Sequence, residues 1–261
     1  MAYENVQVEE VETGIHVLTV NRPKALNALN AETVAEIEAA VRQLGADEGA
    51  RVLIVRGAGE KAFVAGADIR EILALGTLTA KDWSAKILQT FRALEELPIP
   101  VIAAVRGYCL GGGCELALSC DWIIAGDDAV FGLPEVGLGV IPGAGGTQRL
   151  PRIVGRARAL ELITTGRNVK AGEAKEMGLV NSVIPSGDVM EEALNVARAI
   201  ASKGPVAVRL AKESVQRGQD LDLVNACTLE NEVFSLCFST ADQKEGMTAF
   251  VEKRKPTFRG N

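Results

Sequence analysis

The segment VIAAVRGYCLGGGCELA, residues 101–117, joins a short apolar run to three consecutive glycines and a helical pattern. Val101–Val105 has the length of a buried strand, and the turn Arg106–Tyr108 follows it. Gly111–Gly113 then opens the helix. Units in which a strand passes through a turn into a helix build α/β folds, so this segment predicts that class.

Short apolar runs alternate with helical patterns on both sides of this segment. Between the runs lie helical patterns such as Ala31–Leu44, for which Asn30 is the predicted N-cap. Strands separated by helices favour right-handed crossovers and a largely parallel sheet. The other predicted strands are Ile15–Val20, Arg51–Arg56, Trp122–Ala125 and, after a helical stretch at Ala171–Met177, Leu179–Ile184.

Strand patterns are missing after residue 189, and helical patterns take their place. No linker, low-complexity segment or repeat separates this helical part from the α/β body. We therefore expect an appendage that packs on its own body or on a neighbouring subunit. The predicted helices are Val189–Ser202, Pro205–Arg217, Leu221–Cys237 and Thr240–Lys255.

Composition excludes several classes of protein. The chain has 261 residues, 48% hydrophobic and 24% charged, which is typical of a globular protein. A net charge of −6 argues against a general affinity for nucleic acid. No apolar run is long enough to span a bilayer, and the acidic N-terminus has no apolar signal region. We expect a cytoplasmic protein that binds neither nucleic acid nor membranes.

Cysteine and histidine restrict the chemistry further. The five cysteines form no Cys-x-x-Cys pair and are odd in number, which favours buried free thiols in a reducing compartment. His16 is the only histidine, and its alternating segment indicates a satisfied strand histidine. A histidine-rich metal site is therefore excluded, and we expect no metal. A Ser-His-Asp hydrolase is disfavoured, because no Gly-x-Ser-x-Gly motif is present.

Nucleotide-binding motifs are incomplete. Gly57-Ala-Gly59 follows a predicted strand, as in a dinucleotide-binding fingerprint, but Ala62 occupies the third glycine position. No acidic residue stands at the ribose-binding distance, and the chain contains no Gly-Lys-Ser/Thr sequence. We therefore expect no nucleotide cofactor.

The segment Lys61–Ile69 contains the small residues Ala65, Gly66 and Ala67, which allow a ligand to approach the backbone closely. Asp68 then caps a predicted short helix that runs toward Leu75. Taken alone, this segment fits a tight strand-to-helix turn as well as a ligand-binding loop, and the turn is the simpler interpretation.

Glu115 lies in the first turn of the helix that the three glycines open. Glycines leave the N–H groups of a helix start open, and these groups can stabilise negative charge that develops on a bound oxygen. The simpler alternative is a glutamate that only complements the helix dipole.

Glu135 follows Pro134 in the segment Phe131–Gly139. Apolar neighbours on a rigid turn would desolvate this carboxyl and raise its pKa, as suits a proton donor near neutral pH. An ordinary hydrated loop glutamate is the alternative. Amide donors from two glycine-bearing loops plus two carboxylates are the components of enolate chemistry on a carbonyl compound, although the sequence does not show that they meet.

The chain resembles the crotonase family from about residue 5 to residue 259, in motif order and in spacing. Within the family it is most similar to short-chain enoyl-CoA hydratases. The segments that carry the resemblance are Asn21–Leu29, Ala65–Ile69, Gly111–Leu116, Pro134–Gly139, Pro142–Leu150, Pro205–Lys212 and Phe250–Lys255.

The resemblance implies a crotonase spiral of ββα repeats over residues 1–190 and a helical region over residues 191–261. In the family this region packs in trimers, and trimers commonly pair into hexamers. A homotrimer or homohexamer is therefore expected.

The resemblance also implies the reaction, which is reversible addition of water to a trans-2-enoyl-CoA. The N–H groups of Ala67 and Gly112 would form the oxyanion hole. Glu115 would act as base on the water and Glu135 would protonate C2. No cofactor is implied, because coenzyme A is part of the acyl-CoA thioester substrate.

The family pattern further implies residues that line the site and contact coenzyme A. Hydratases usually have Gln where this chain has Leu133, a difference that could change which acyl groups fit. The basic contacts would come from Lys24 and Lys253, for which a solvated helix end is the alternative in the second case. The other implied residues are Ala25, Leu26, Ala65, Gly66, Asp68, Ile69, Gly111, Gly143 and Phe250.

Two alternatives to a hydratase stay open. An enoyl-CoA isomerase would move the double bond without taking up water, but family isomerases typically keep only one of the two acids. A catalytically inactive member would bind acyl-CoA without turnover. The presence of both Glu115 and Glu135 favours the hydratase.

Overall fold

The computed structural model describes residues 3–261, in which the strands form two sheets. The larger sheet has the order β1-β2-β3-β5-β7-β10 and the smaller one β4-β6-β8-β9. The strands are β1 (Val6–Glu12), β2 (Ile15–Val20), β3 (Val52–Gly57), β4 (Ala62–Val64), β5 (Val101–Val105), β6 (Tyr108–Leu110), β7 (Trp122–Gly126), β8 (Val130–Gly132), β9 (Val169–Lys170) and β10 (Ser182–Ile184).

Neighbouring strands are parallel except for the antiparallel pairs β1–β2 and β8–β9. Consecutive strands alternate between the sheets, since β3, β5 and β7 belong to the larger sheet and β4, β6 and β8 to the smaller one. A helix follows each such pair. The predicted parallel α/β class is therefore confirmed, and each repeat consists of two strands followed by helical structure.

The helices begin close to the predicted positions. The Asn30 side chain accepts a hydrogen bond of 2.9 Å from the Thr33 N–H, which confirms the predicted cap. The helices are α1 (Ala31–Gly45), α2 (Ile69–Leu73), α3 (Thr77–Glu95), α4 (Gly112–Leu118), α5 (Gly146–Val154), α6 (Arg156–Thr165), α7 (Ala171–Glu176), α8 (Val189–Ala201), α9 (Pro205–Gly218), α10 (Leu223–Cys237) and α11 (Ala241–Val251).

The larger sheet is covered on both faces. Because side chains alternate along a strand, Leu53 and Val55 of β3 join the main core, whereas Val52 and Ile54 face a second apolar cluster built with α8. Strands buried on both faces read as continuous apolar runs, which is why these strands were visible in the sequence. None of the helices within residues 3–261 has the length and apolar character needed to cross a membrane.

Two sequence predictions need correction, and several strands were not predicted. The last helix ends at Val251 and not at Lys255, because Lys253 has a left-handed φ of 57°. The acidic edge strand β1 and the short strands of the smaller sheet were not predicted. His16 is buried in β2, but within residues 3–261 its Nε2 makes no hydrogen bond and lies 3.6 Å from the Asp47 carboxylate, so it is not fully satisfied.

The C-terminal helices differ in how they contact the body. Helix α8 packs its buried Val189, Ala193 and Ala197 on the larger sheet. Helices α9 and α10 pack mainly on one another. Their apolar side chains stay largely exposed in the single chain: Val215, Leu223, Val224, Phe234, Leu236 and Phe238. The division at residue 190 stays a prediction.

Candidate active site

The start of α4 lies against strand β4 because its glycines leave no side chain between them. A Cβ on Gly113 would lie 2.0 Å from the carbonyl oxygen of Val64, far inside van der Waals contact. Gly111, just before the helix, has a φ of +50°, a conformation that glycine adopts readily. These two glycines therefore allow the helix start to approach the segment that follows β4.

This approach brings Gly112 beside Ala67. A Cβ built on Gly112 would lie 3.7 Å from the backbone nitrogen of Ala67. The loop that carries Ala67 is held by two hydrogen bonds of Leu29, whose N–H donates to the Gly66 carbonyl at 2.8 Å and whose carbonyl accepts from the Asp68 N–H at 2.7 Å. Within residues 3–261 neither the Ala67 N–H nor the Gly112 N–H donates a hydrogen bond, so both are available to a ligand.

Asp68 ties this loop to the segment after β2. Its carboxylate accepts from the Arg70 N–H at 3.3 Å, which confirms the predicted cap of α2. It also accepts from the Arg22 guanidinium at 3.2 Å, and Arg22 donates in addition to the Ala28 carbonyl. The Ala65 N–H donates to the Leu26 carbonyl at 3.0 Å. The predicted coenzyme A loop and the predicted oxyanion loop are thus neighbours.

Four predicted contact residues of these loops are exposed, namely Lys24, Ala25, Leu26 and Ile69. Lys24 and Ala25 belong to a 3-10 helix over Pro23–Ala25, and Leu26 follows it with a left-handed φ of 51°. Lys24 makes no ion pair within residues 3–261, so its ammonium group is free to meet an anionic ligand at this surface.

Glu115 is buried, with 2% of its surface exposed, in the first turn of α4. Its Oε1 accepts hydrogen bonds of 2.8 Å from the N–H groups of Ala144 and Gly146. Burial raises the pKa of this carboxyl, while the two amides and the positive charge of Arg149 act in the opposite direction. The amides hold one oxygen and fix the orientation of the carboxylate.

Glu135 lies on a 3-10 helix over Pro134–Leu138, and its Oε1 is 3.1 Å from the Cβ position of Gly111. Burial raises its pKa to about 7, its own backbone N–H opposes this, and the negative charge of Glu115 adds to it. Its Oε2 is buried and has no hydrogen-bond partner within residues 3–261. The ordinary hydrated loop glutamate is therefore excluded.

The structure thus brings four predicted groups to one place, at the start of α4. They are the free amides of Ala67 and Gly112 and the carboxyl groups of Glu115 and Glu135. Gly66 and Gly111 lie next to each other beside these groups, since the Cα of Gly66 is 3.6 Å from the Cβ position of Gly111. The arrangement can hold a polarised oxygen beside two groups that exchange protons.

Leu133 and Gly143 support the loop that binds Glu115. Leu133 has only 1% of its surface exposed, and its Cδ1 is 2.9 Å from the Cβ position of Gly146. The Gly143 carbonyl accepts a hydrogen bond of 2.5 Å from the Ser84 hydroxyl of α3. Leu133 therefore forms part of the apolar surroundings of Glu115.

The sequence did not reveal the side chains that hold the loop of Ala144 and Gly146 in place. Arg149 donates to the Ala144 carbonyl at 2.8 Å and forms an ion pair with Glu95 of α3. Arg149 belongs to the quoted Pro142–Leu150 motif, so a signal was present. Its partner Glu95 stands 54 residues earlier, and nothing in the local sequence distinguishes it.

Phe250 and Lys253 are not joined to these groups within the chain. Phe250 is 85% exposed, and Lys253 is exposed just after the end of α11. Within residues 3–261, the tertiary hydrogen bonds of α11 run to the C-terminal segment, as between Asp242 and the N–H of Arg259. Nor do three or more His, Cys, Asp or Glu side chains of this part of the chain form a group suited to a metal ion.

Comparison with known proteins agrees with this geometry. Residues 10–261 match the family described as enoyl-CoA hydratase/isomerase. A crotonyl-CoA hydratase of Syntrophomonas wolfei is 49% identical over 258 residues, 99% of either chain. A short-chain-enoyl-CoA hydratase of Clostridium acetobutylicum is also 49% identical, over 98% of this chain and 97% of its own.

Solved structures show the same fold. The crystal structure of an enoyl-CoA hydratase from Bacillus anthracis superposes with a TM-score of 0.96 at 43% identity, covering 99% of this chain and 100% of that one. Likeness of fold and sequence over the full length, together with the two carboxyls and two free amides at α4, leads to one assignment. The chain belongs to the enoyl-CoA hydratase/isomerase family and has the crotonase fold.

Proposed function

We propose that this protein is an enoyl-CoA hydratase that adds water to a trans-2-enoyl-CoA and gives the 3-hydroxyacyl-CoA. The observation that carries the proposal is the meeting of two free backbone amides with the buried carboxyl group of Glu115 and the half-buried one of Glu135 at the start of α4. Hydration needs both parts of this arrangement, because charge builds on the thioester oxygen while one proton leaves water and another reaches carbon.

The amides of Ala67 and Gly112 are proposed to receive the thioester oxygen. Attack of water at C3 pushes electrons through the double bond onto this oxygen, giving an enolate. Fixed N–H donors stabilise such charge without reorganisation, and removing one donor of this kind typically costs about 10²–10³ in kcat. A position for the oxygen between the two donors also fixes C2 and C3 relative to the acids.

The two glutamates are proposed to divide the proton transfers. Glu115 takes a proton from the attacking water as its oxygen bonds to C3, and Glu135 delivers a proton to C2. A pKa of about 7 for Glu135 supplies the protonated form near neutral pH. In dehydration the roles reverse: Glu135 takes the proton from C2, Glu115 gives a proton to the departing oxygen at C3, and the bonds formed in hydration are broken. Water is the only other reactant, so the proposed reaction needs no cofactor.

The substrate is proposed to be short, with crotonyl-CoA as the first choice. Two relatives that are 49% identical carry the names crotonyl-CoA hydratase and short-chain-enoyl-CoA hydratase. Leu133 gives the surroundings of Glu115 an apolar wall. We propose that the loop 24–26 contacts the pantetheine and nucleotide of coenzyme A, with Lys24 facing a phosphate.

The protein is proposed to form a trimer or a pair of trimers. Exposed apolar side chains on α10, among them Leu223, Val224 and Phe234, support an interface there, since contiguous apolar surface marks association sites. We further propose that Phe250 and Lys253 contact coenzyme A bound to a neighbouring subunit. Their exposure beyond α11 supports this assignment.

We propose the cytoplasm as the compartment. All five cysteines are free in the structure, and Cys109, Cys114 and Cys120 are buried. Free thiols are the ordinary state in a reducing compartment, whereas oxidising compartments favour disulfides. A cytoplasmic location would be tested by fractionation with a cytoplasmic marker enzyme.

The test of function is hydration of crotonyl-CoA, followed by loss of the conjugated thioester absorbance and identification of the product. Formation of 3-hydroxybutyryl-CoA is expected, whereas migration of the double bond without water uptake would identify an isomerase. Glu135→Gln should bind acyl-CoA but lose about 10²–10⁴ in kcat, because the amide cannot transfer the proton. Glu176→Gln, which changes an exposed carboxylate far from α4 in sequence, is the matched control.

Binding without turnover in the wild-type protein, with longer enoyl-CoAs equally inert, would contradict the proposal. Full turnover of Glu135→Gln would leave the reaction but remove the assigned acid.

A further inference from the structure

A cavity lies at the carboxyl edge of the larger sheet, beneath the start of α8. Its volume is about 60 Å³, and it is lined by the guanidinium-bearing Arg56 and Arg106 and by Phe63, Ala104, Ser186 and Gly187. In open α/β sheets this edge is the usual place for ligands. The amides of Ala67 and Gly112 and the two glutamates of the proposed active site do not line it.

Strand geometry aims both arginines at α8. On β3, Val52 and Ile54 face the α8 cluster, so Arg56, two residues further, faces the same side. On β5, Ile102 and Ala104 face this cluster, and Arg106 continues the alternation just beyond the strand.

The two strands are direct neighbours. Arg56 pairs with Ala104 in the parallel register, which places Arg106 one side-chain step farther along the same face. The apolar face that α8 covers therefore ends in two positive charges.

Neither guanidinium has an acceptor. Within residues 3–261 no carboxylate lies within ion-pair distance of Arg56 or Arg106, and no side-chain hydrogen bond uses either. The Nε of Arg106 is buried and unpartnered. A buried donor without an acceptor costs free energy, and two like charges at one cavity repel. An anion in the cavity would remove both penalties.

The N-terminus of α8 also borders the cavity, through Val189 and Met190, although its first turn carries the carboxylates of Glu191 and Glu192. The helix has 13 residues, and no side chain caps its N-terminus, although Asp188 occupies the cap position. The nearby Asp127 carboxylate accepts a hydrogen bond of 2.9 Å from the Ser186 N–H, and this bond helps to fix the turn that precedes α8. Helix N-termini favour anions, and phosphate groups bind there often.

We propose that this cavity binds a small tetrahedral oxyanion, inorganic phosphate being the ligand of the right size and charge. A volume of about 60 Å³ holds roughly four to six waters at 10–15 Å³ each, which is comparable with the five heavy atoms of one phosphate ion. Arg56 and Arg106 each offer a fork of donors that matches two phosphate oxygens. The lining of the cavity shares no residue with the proposed acyl-CoA site, and the proposal does not depend on the proposed reaction.

The experiment is calorimetric titration of the full-length protein with sodium phosphate at constant ionic strength, kept with sodium chloride. We expect saturable binding of one phosphate per chain. Arg56→Gln and Arg106→Gln should each weaken it by about tenfold or more, because a charge-assisted hydrogen bond contributes about 1.5–3 kcal/mol. Arg156→Gln is the control, since Arg156 is exposed at the start of α6.

A second titration, in the presence of saturating coenzyme A, distinguishes this cavity from the acyl-CoA site. Phosphate affinity should not change in its presence, and crotonyl-CoA hydration in the same samples reports on the proposed function separately. Absence of saturable binding to the wild-type protein would overturn the proposal. Wild-type affinity for phosphate in both arginine variants would also overturn it, as would displacement of phosphate by coenzyme A.

Discussion

Arg149 forms two hydrogen bonds with the carboxylate of Glu95: its Nε donates to Oε1 at 2.6 Å and its Nη2 donates to Oε2 at 2.7 Å. The same guanidinium donates to the Ala144 carbonyl, and the Ala144 N–H donates to Glu115. A continuous chain of hydrogen bonds therefore runs from α3 to the proposed catalytic base. Arg149 is a positioning residue in this chain, because it acts on Glu115 through a backbone amide and through its charge.

Arg149→Lys should lower kcat by about 10–100-fold with little change in KM, because a single ammonium cannot hold both Glu95 and the loop, and small misplacements are costly. Arg149→Met should in addition move the acid limb of the pH profile to higher pH. The positive charge of Arg149 lowers the pKa of Glu115, and the methionine removes it.

Arg152→Gln is the control for both, since Arg152 is exposed and, within residues 3–261, its side chain donates only to the Gln148 carbonyl. A purely structural role of Arg149 predicts lower turnover at every pH without displacement of the limb.

The pH dependence of kcat/KM should be bell-shaped and identical in both directions. Hydration uses ionised Glu115 and protonated Glu135, dehydration uses the reverse, and each state carries one proton on the pair. The overall reaction takes up no proton, so the ratio of the two values equals a pH-independent equilibrium constant. Activity should fall as pH rises through about 7, where Glu135 loses its proton. Flat profiles across this region in both directions would contradict the assignment.

Glu135→Gln should stabilise the fold at alkaline pH. The folded-state pKa of about 7 exceeds the ordinary value of 4.5, so the folded protein holds this proton more tightly than the unfolded chain. The stabilising contribution of the neutral form is complete below about 4.5 and lost as pH rises through about 7.

The gain in the free energy of unfolding above pH 7 should be about 1–3 kcal/mol, reduced by partial solvent screening, and should vanish in acid. Denaturant unfolding of both proteins at two pH values measures it. An equal difference in the free energy of unfolding at both pH values would show that ionisation of Glu135 is not the cause.

Gly113→Ala should damage both stability and the oxyanion site. The new methyl group would lie 2.0 Å from the Val64 carbonyl, so α4 has to move away from β4 and take the Gly112 amide with it. Overpacking of this kind costs about 1–3 kcal/mol. Gly172→Ala is the control, because a Cβ there meets open space in α7. Denaturation midpoints and kcat check the prediction, and a variant that keeps wild-type turnover would contradict it.

The sequence carried much of the fold because the larger sheet is buried on both faces. Apolar runs such as Val101–Val105 then appear without interruption. The smaller sheet was missed, since its strands have two or three residues and no measurable period. Strand β1 was missed for another reason, because as an edge strand it carries exposed acidic side chains.

For the candidate site, the sequence predicted the individual groups but not their meeting. The burial of Glu135 followed from its apolar neighbours, and its raised pKa agrees. The approach of Gly112 to Ala67 depends on the packing of α4 against β4, a contact between segments 45 residues apart in number that no local pattern encodes. The Arg149–Glu95 pair is hidden for the same reason.

The two proposed donors follow adjacent strands, since Ala67 comes after β4, Gly112 comes after β6, and β4 pairs with β6. The proximity of the donors therefore follows from the pairing of these strands and from the missing side chain at Gly113. Substitution of Glu115 or Glu135 leaves both backbone donors in the chain. The proposed site therefore combines oxygen-binding donors from the backbone, which a side-chain exchange does not remove, with proton-transfer groups that a single substitution can replace.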